Sequence, residues 1–183
     1  MKRSILTIII LSVFIGVVNS QNRYDAIEEY GTHGVPWALV QKDNKYGFID
    51  KKGKQVVPVV YDAIGNFGTH GVPLALVQID NKFGMINTRG DVIVPVVYDA
   101  IGNYGTHGLP LALVQIDNKF GMINTQGDVI VPVEYDAIGE YGKHGRVLAL
   151  VQKDNKYGCI NKQGEVAVPI RYNHPYEIET GKY

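Results

Sequence analysis

Short apolar runs separated by polar turns fill the chain from residue 24 onward. The run Leu-Ala-Leu-Val-Gln-Ile at 74–79 is followed by Asp80 and Asn81, and the chain continues as Lys-Phe-Gly-Met-Ile-Asn at 82–87. Asp and Asn tolerate the left-handed backbone that a two-residue type I′ turn requires at both central positions. The pattern therefore predicts a β-hairpin.

A second turn and an interrupted third strand follow this hairpin. Thr-Arg-Gly-Asp at 88–91 predicts a turn in which Gly90 is free to take a positive φ. Val-Ile-Val at 92–94 predicts a third strand that lies at an edge or bends at Pro95, because proline cannot donate to a strand ladder. Gly84 lies within the second strand, which suggests close approach of another backbone or of an aromatic ring.

The segment 65–73 contains three glycines and a proline, which predicts a loop. No window after residue 20 shows an apolar period of 3.6 residues, so we expect almost no α-helix there.

The whole pattern recurs with a period of 37 residues and without insertions. The repeats occupy 24–60, 61–97, 98–134 and 135–171, and residues 172–183 begin a fifth copy and stop. Each copy opens with a tyrosine: Tyr24, Tyr61, Tyr98, Tyr135 and Tyr172. An internal repeat indicates one supersecondary unit stacked on itself.

The predicted fold is all-β, with tandem β-hairpin repeats stacked as an open solenoid or superhelix. The alternative is a small four-unit β-propeller. The outer repeats carry Lys42 and Lys153 where the inner repeats have isoleucine, and polar caps favour a stack with two ends.

Residues 1–20 have the layout of a secretory signal peptide. Lys2 and Arg3 precede an apolar run at 5–18, and Val18-Asn19-Ser20 places short side chains before Gln21. The run is shorter than the ~20 residues that span a bilayer, so we expect cleavage and no membrane span afterwards. We therefore expect the mature protein to be exported, to the periplasm, the cell surface or the extracellular space.

Charge and cysteine content narrow the function further. Without Lys2 and Arg3 the chain has 16 basic and 18 acidic residues, a net charge of −2, and it has no basic patch. This argues against nucleic acid as a partner. Cys159 takes the repeat position of Phe48, Met85 and Met122, so it is predicted to be a buried apolar filler.

Lys-aromatic-Gly, Val-Pro and Tyr-Asp-x-Ile recur in each repeat, and this unit resembles the WG-containing repeat family. In that family a Trp-Gly dipeptide follows a short polar turn. Trp37 lies elsewhere, so the signature tryptophan is replaced in every repeat. The replacing aromatic residues are Tyr46, Phe83, Phe120 and Tyr157, each followed by glycine. The resemblance implies a bacterial β-repeat module associated with interaction rather than catalysis, and it supplies no catalytic residues.

Repeated side chains in the loops form the candidate interaction surface. The set comprises one histidine and one aromatic residue per repeat: His33, His70, His107, His144, Tyr30, Phe67, Tyr104 and Tyr141. Phe67 and Tyr104 are the candidates for an exposed aromatic row, whereas Tyr61 and Phe83 are expected in the core. Each histidine is expected to bond a loop carbonyl and pack on the loop aromatic. A metal-binding histidine ladder is a weaker hypothesis, because adjacent histidines lie a full repeat apart.

Two other motifs favour structural interpretations. The aspartates that follow the opening tyrosines, such as Asp62 and Asp99, are expected to accept backbone N–H bonds at turns. Arg89-Gly90-Asp91 spells an integrin-adhesion tripeptide, but the other repeats differ there, so a polar hairpin turn is favoured.

The sequence thus predicts a non-catalytic module that mediates protein–protein interaction or scaffolding. The alternative is a glycan or cell-wall binder that uses an aromatic row. No cofactor and no metal are expected, and the partner is a protein or a cell-surface glycan.

Overall fold

The computed structural model describes residues 23–142 and 147–179. The signal peptide predicted at 1–20 and His144 lie outside these residues. The chain divides into two compact units, Met1–Ile64 and Gly65–Tyr183. No helix in the described ranges has the length and apolar character needed to cross a membrane.

The first unit holds the first repeat. Its strands are β1 (Ala26–Ile27), β2 (Ala38–Lys42), β3 (Lys45–Ile49), β4 (Gln55–Tyr61) and β5 (Ala63–Ile64). Strands β1 to β4 form an antiparallel sheet in chain order, with β4 at one edge.

The second unit repeats this arrangement. Its elements are β6 (Leu74–Ile79), β7 (Lys82–Asn87), β8 (Val92–Tyr98), β9 (Ala100–Ile101), β10 (Ala112–Ile116), β11 (Lys119–Ile123), β12 (Val129–Tyr135), β13 (Ala137–Ile138), β14 (Ala149–Lys153), β15 (Lys156–Ile160), β16 (Val166–Tyr172) and α1 (Pro175–Glu179). Strands β9 to β12 form one antiparallel sheet and β13 to β16 another. The tandem all-β architecture is confirmed, while the open course of the array stays a prediction.

The predicted type I′ turns are confirmed in all four repeats. Asp80 and Asn81 have φ of 49° and 62°, and Ile79 pairs with Lys82 across the turn. Gly90 has φ of 86°, so the second turn also uses the predicted positive φ. Local chemistry thus fixes both turns.

The glycine within the second strand is explained by close approach of the third strand. A Cβ on Gly84 would lie 2.6 Å from the carbonyl oxygen of Val94. The pairing shifts between Phe83↔Tyr98 and Met85↔Val94, so β8 carries extra residues around Pro95 and bends there. The close approach and the bend were both predicted, and the atom nearest to the added Cβ belongs to the backbone of β8.

In the second unit, successive repeats pack face to face. The face of each sheet that packs on the following repeat is here called its trailing face, and the opposite face its leading face. In the second repeat the trailing face carries Leu74, Met85 and Val94. It packs on the leading face of the third repeat, which carries Ala112, Val114 and Ile123. Alternate residues of a strand point to opposite faces, so each sheet supplies both surfaces. The same contact recurs one repeat later.

That second layer forms between the third and fourth repeats. The trailing face there carries Leu111, Met122 and Val131, and the leading face carries Ala149, Val151 and Ile160. The buried residues of this layer are between 0 and 8% exposed. Stacking of repeats therefore builds the core.

The C-terminal segment differs from the predicted start of a fifth copy. Tyr172 is buried as in the other repeats, but α1 follows where the next strand would begin. Ile178 of α1 is 2% exposed and packs with Cys159, Val168 and Tyr172 on the trailing face of the fourth repeat. Cys159 is thus buried, as predicted. The helix takes the place of a following repeat.

Lys153 has a different role from the predicted polar cap. Its Nζ lies 3.0 Å from a carboxylate oxygen of Glu134 in the preceding repeat. The lysine therefore bridges the third and fourth repeats, and its change from isoleucine accompanies the change of Val97 to Glu134 at the partner position.

Candidate interaction surface

The loops that carry the histidines, here called the His loops, are residues 28–36, 65–73, 102–110 and 139–147. In the second His loop, Gly68 and Gly71 have φ of 87° and 77°. The hydroxyl of Thr69 donates to the carbonyl of Asn66 at 3.0 Å, and Thr106 repeats this bond one loop later. Left-handed glycines and the hydrogen bond from the threonine hydroxyl to the loop backbone, here called the threonine staple, therefore give the second and third loops the same tight shape.

The threonine staple determines the tautomer of the neighbouring histidine. The Oγ1 of Thr69 lies 3.0 Å from Nδ1 of His70, and Thr106 and His107 have the same distance. Because the threonine proton already goes to a carbonyl, its oxygen accepts here and Nδ1 carries the hydrogen. In this tautomer of the neutral ring, Nε2 keeps a lone pair.

These Nε2 lone pairs face solvent. Both histidines are partly exposed. Within the described ranges, the one buried side-chain polar atom without a hydrogen bond is the hydroxyl of Tyr24, so neither Nε2 is buried and unpaired. Two consecutive repeats thus present an imidazole acceptor in the same tautomer.

The backbone of the second and third His loops binds the loop that follows. The carbonyl of His70 accepts the N–H of Tyr104 at 3.1 Å, and the carbonyl of His107 accepts the N–H of Tyr141 at 2.9 Å. A Cβ on Gly108 would lie 2.8 Å from the Tyr141 carbonyl oxygen, so the loops meet closely. The second and third loops therefore form a continuous surface that reaches Tyr141 of the fourth. The prediction that each histidine ring bonds a loop carbonyl is wrong for His70 and His107. Their rings bond threonine, and their backbone carbonyls accept N–H groups of the next loop.

The expectation of an exposed aromatic row is wrong for Tyr104, and Tyr141 of the candidate surface is buried in the same way. Tyr104 and Tyr141 are 9% and 7% exposed, because each ring lies in the layer between two sheets. Their hydroxyls donate to the carbonyls of Asn124 and Asn161 at 3.1 and 3.0 Å. Phe67 is half-buried. Tyr104 and Tyr141 therefore do not offer an exposed ring face on which a sugar could stack.

The remaining aromatic predictions have mixed outcomes. Tyr30 is 39% exposed, and its hydroxyl donates to the Asp50 carbonyl at 3.3 Å. Tyr61 is buried, as predicted, whereas Phe83 is only partly buried.

Burial raises the pKa of Tyr104 to about 12, with a smaller contribution from Tyr98, and raises that of Tyr141 to about 12 in the same way. A phenol has a pKa near 10 when unfolded. The fold therefore favours the neutral phenols, and their stabilisation is complete below pH 10 and lost as pH rises toward 12. Two units of pKa correspond to roughly 2–3 kcal/mol for each tyrosine.

We expect the free energy of unfolding to fall steeply between pH 10 and 12, and to fall less steeply in a Tyr104→Phe/Tyr141→Phe variant. The variant should already be less stable at pH 8, by about 1 kcal/mol for each lost hydrogen bond. Urea unfolding followed by circular dichroism at pH 8 to 12 measures both effects. Parallel pH profiles for the two proteins would contradict the assignment of this titration to the loop tyrosines.

The first His loop has a different polar arrangement. Nε2 of His33 lies 2.9 Å from a carboxylate oxygen of Glu28, and its ring meets Phe48 edge-on at 5.6 Å between centroids. The inner repeats have glycine at the position of Glu28. His33 therefore does not present the open Nε2 of His70 and His107.

The repeated aspartates stabilise turns and join neighbouring repeats. Oδ2 of Asp99 accepts the N–H of Asp117 at 2.8 Å, which confirms the predicted turn contact. Its Oδ1 binds Nζ of Lys82 from the preceding repeat. This hydrogen bond lowers the pKa of Asp99 and raises the pKa of Lys82. The lysine partner was not predicted, although Lys and Asp recur in phase 17 residues apart.

No three His, Cys, Asp or Glu side chains come together as a metal site within 23–142 and 147–179. His70 and His107 have separate threonine partners, so the arrangement does not favour a shared metal. At the adhesion-like tripeptide, Nε of Arg89 lies 3.0 Å from Oδ2 of Asp91. The backbone N–H groups of Arg89 and Asp91 both donate to Oδ1 of Asn87. This is the polar hairpin turn that was predicted.

Comparison with known proteins agrees with the repeat architecture. The family described as WG containing repeat matches residues 46–83, 83–120, 120–157 and 157–174. Each match begins at the aromatic residue of an aromatic-Gly pair, with Tyr or Phe in place of tryptophan. A search among curated proteins found no match to the chain. The matched segments run through most of the chain, which therefore belongs to the WG-containing repeat family.

Proposed function

We propose that the mature chain is an exported, non-catalytic interaction module whose His loops contact a protein partner. The observation that carries this proposal is the identical display of the Nε2 lone pairs of His70 and His107. The apolar run at 5–18 with its basic start supports export. The contact surface consists of the His loops.

Equivalence of the repeats supports binding over catalysis. A catalytic pair of acids needs two different environments, whereas Asp99 and Asp136 have the same lysine and backbone partners in successive repeats. The same equivalence suits multivalent contact. Two weak, identical contacts on one rigid array reinforce each other through a high effective concentration.

The chemistry of the loops defines the partner group. A neutral imidazole with Nδ1–H committed to threonine accepts one hydrogen bond at Nε2. The surrounding residues, including Asn66 and Gly71, are exposed and uncharged. The loops therefore suit a polar protein segment that presents N–H or O–H donors at intervals of one repeat.

A matched pair of variants tests this function. The mature protein, a His70→Gln/His107→Gln variant and a Gln126→Arg control are immobilised, and exported proteins of the source organism are passed over each. Gln126→Arg restores the residue that Arg89 provides one repeat earlier, so it preserves the fold. A retained protein is then purified and its affinity for each variant is measured by calorimetry.

We expect the control to bind like the wild type and the double histidine variant to bind about tenfold more weakly, as for two lost hydrogen bonds. Equal affinities for all three proteins, with unchanged melting temperatures, would overturn the assignment of the contact surface to the His loops.

A further inference from the structure

Within the second unit, the turn that joins the second strand of a repeat to its third strand packs on the preceding repeat. A Cβ on Gly127 would lie 2.1 Å from the carbonyl oxygen of Ile93, and a Cβ on Gly164 would lie 2.2 Å from that of Ile130. The glycine side of this turn is therefore a contact surface, and an extended strand covers it in both cases.

The first repeat leaves the same surface open. A Cβ on Gly53 would meet no described atom within 4 Å. Tyr30 is 39% exposed, whereas Tyr104 at the same position of the third repeat packs against the second repeat and is 9% exposed. The Tyr30 hydroxyl donates to the carbonyl of Asp50 at 3.3 Å, so the exposed ring adjoins the turn 50–54. Two separate observations thus indicate an open surface at this turn.

The turn 50–54 is also the most basic of the four. It carries three exposed lysines, Lys51, Lys52 and Lys54. The other repeats have an acid at the position of Lys54: Asp91, Asp128 and Glu165. The net charge of the turn is +2 (three lysines less one aspartate), against 0, −1 and 0 in the second, third and fourth repeats. No basic patch was expected from the sequence, and this turn is a local exception.

The one acid of this turn binds the turn backbone. Oδ1 of Asp50 accepts the N–H groups of Lys52 and Lys54 at 2.8 and 2.9 Å. In the third repeat Oδ1 of Asn124 accepts the same two N–H groups, and its Nδ2 donates to Asp128 at 2.9 Å. The first repeat therefore keeps the hydrogen bonds that shape the turn while its exposed side chains become basic.

We propose that this basic turn, with the ring of Tyr30 beside it, binds an acidic, extended segment of the protein partner. Carboxylates of the segment pair with the three lysines, and an apolar side chain between them packs on the exposed ring. The segment is extended because the strands β8 and β12 cover the equivalent turns of later repeats. The inference rests on the proposed function, since it names the chemistry of a second region of the same partner.

A bilayer of anionic lipids is a poorer occupant than a protein segment. Glu28 and Glu29 are exposed on the loop that carries Tyr30, so an extended anionic surface would meet these carboxylates as well as the lysines. Attraction to such lipids is ordinarily built from clusters of about 4–8 basic residues. A short acidic segment can pair with the lysines of the turn alone.

The test uses ¹⁵N-labelled mature protein at low ionic strength, with the peptide acetyl-Asp-Asp-Leu-Asp-Asp-amide as the probe. The peptide acetyl-Asn-Asn-Leu-Asn-Asn-amide has nearly the same shape without the charges and serves as the matched control. We expect saturable shift changes for the amides of residues 30–32 and 51–54 with the acidic peptide alone. These changes should disappear at high ionic strength, because salt screens exposed charges.

A variant with the turn of the third repeat removes the lysines and keeps the fold. The sequence at 124–128 already forms this turn. Four substitutions install it: Asp50→Asn, Lys51→Thr, Lys52→Gln and Lys54→Asp. This rebuilt variant should bind the acidic peptide at least about fivefold more weakly, as for loss of several exposed ion pairs. Lys162→Thr should bind like the wild type, because it removes an exposed lysine from the equivalent turn of the fourth repeat.

Equal shifts with the two peptides, or unchanged binding in the rebuilt variant, would overturn the basic-turn site. Cosedimentation with vesicles that contain phosphatidylglycerol, absent with pure phosphatidylcholine and lost in the rebuilt variant, would assign the turn to a bilayer and overturn the protein segment. A doubled mass in light scattering that the rebuilt variant lacks would assign it to a second copy and overturn the segment likewise. The His70→Gln/His107→Gln variant should bind the acidic peptide normally, so failure of either assay removes only the surface that it tests.

Discussion

Replacement of Gly121 by alanine is expected to lower the free energy of unfolding by about 3 kcal/mol or more. The added Cβ would lie 2.6 Å from the carbonyl oxygen of Val131 and 2.9 Å from the Cα of Val133. Both atoms belong to the backbone of β12, so no side-chain rotation relieves the contact. The bent third strand would have to move away from β11 and lose its packing against the fourth repeat.

Gly102→Ala in the same repeat is the matched control. Its Cβ would lie 3.5 Å from the carbonyl oxygen of Leu113, an ordinary van der Waals contact. This variant should remain within about 0.5 kcal/mol of the wild type. Thermal and urea unfolding of the two variants provide the comparison. Similar stabilities would show that the glycine in the second strand is not required by the close approach of the third.

Features set by neighbouring residues could be predicted from the sequence. The hairpin strands β6 and β7 have the bounds that the apolar runs indicate, because Asp80 and Asn81 adopt the left-handed backbone that the turn needs. The mid-strand glycine and Pro95 predicted a close approach and a bend for the same reason: each residue type restricts its own backbone.

Features set by contacts between repeats could not be predicted in this way. Tyr104 reads as a loop residue, yet the stacking of two sheets buries its ring and leaves its hydroxyl 3.1 Å from the carbonyl of Asn124. The otherwise similar second and third repeats carry Phe67 and Tyr104 at the same position. Because both residue types supply an aromatic ring, this exchange was a sequence signal that the ring is buried. The lysine–aspartate pairs depend on the same stacking.

Helix α1 was missed because its five residues are too few for an apolar period to be recognised. The signals were a proline at its first position and Glu177, whose Oε1 accepts the N–H of His174 at 3.0 Å. A helix of this length is marginal alone, so its contact with the fourth repeat must stabilise it.

The largest effect at the end of the array is expected from Ile178→Ala. Ile178 is 2% exposed and covers Cys159 and Val168, the residues that a following repeat would otherwise bury. Loss of this side chain should cost about 2–4 kcal/mol. Because a terminal repeat is held by its neighbours alone, the cost should fall first on the fourth repeat. Tyr176→Ala is the control, since Tyr176 is 60% exposed on the same helix.

Native-state hydrogen exchange of Ile178→Ala tests the central claim, that in the second unit each repeat is completed by the face of the next repeat or by α1. We predict that the amides of β14 and β15 exchange at least about thirtyfold faster than in the wild type, as for a local loss of about 2 kcal/mol. The amides of β10 and β11 should change much less, and Tyr176→Ala should leave both sets unchanged. Equal acceleration in the third and fourth repeats, or none in either, would contradict the claim.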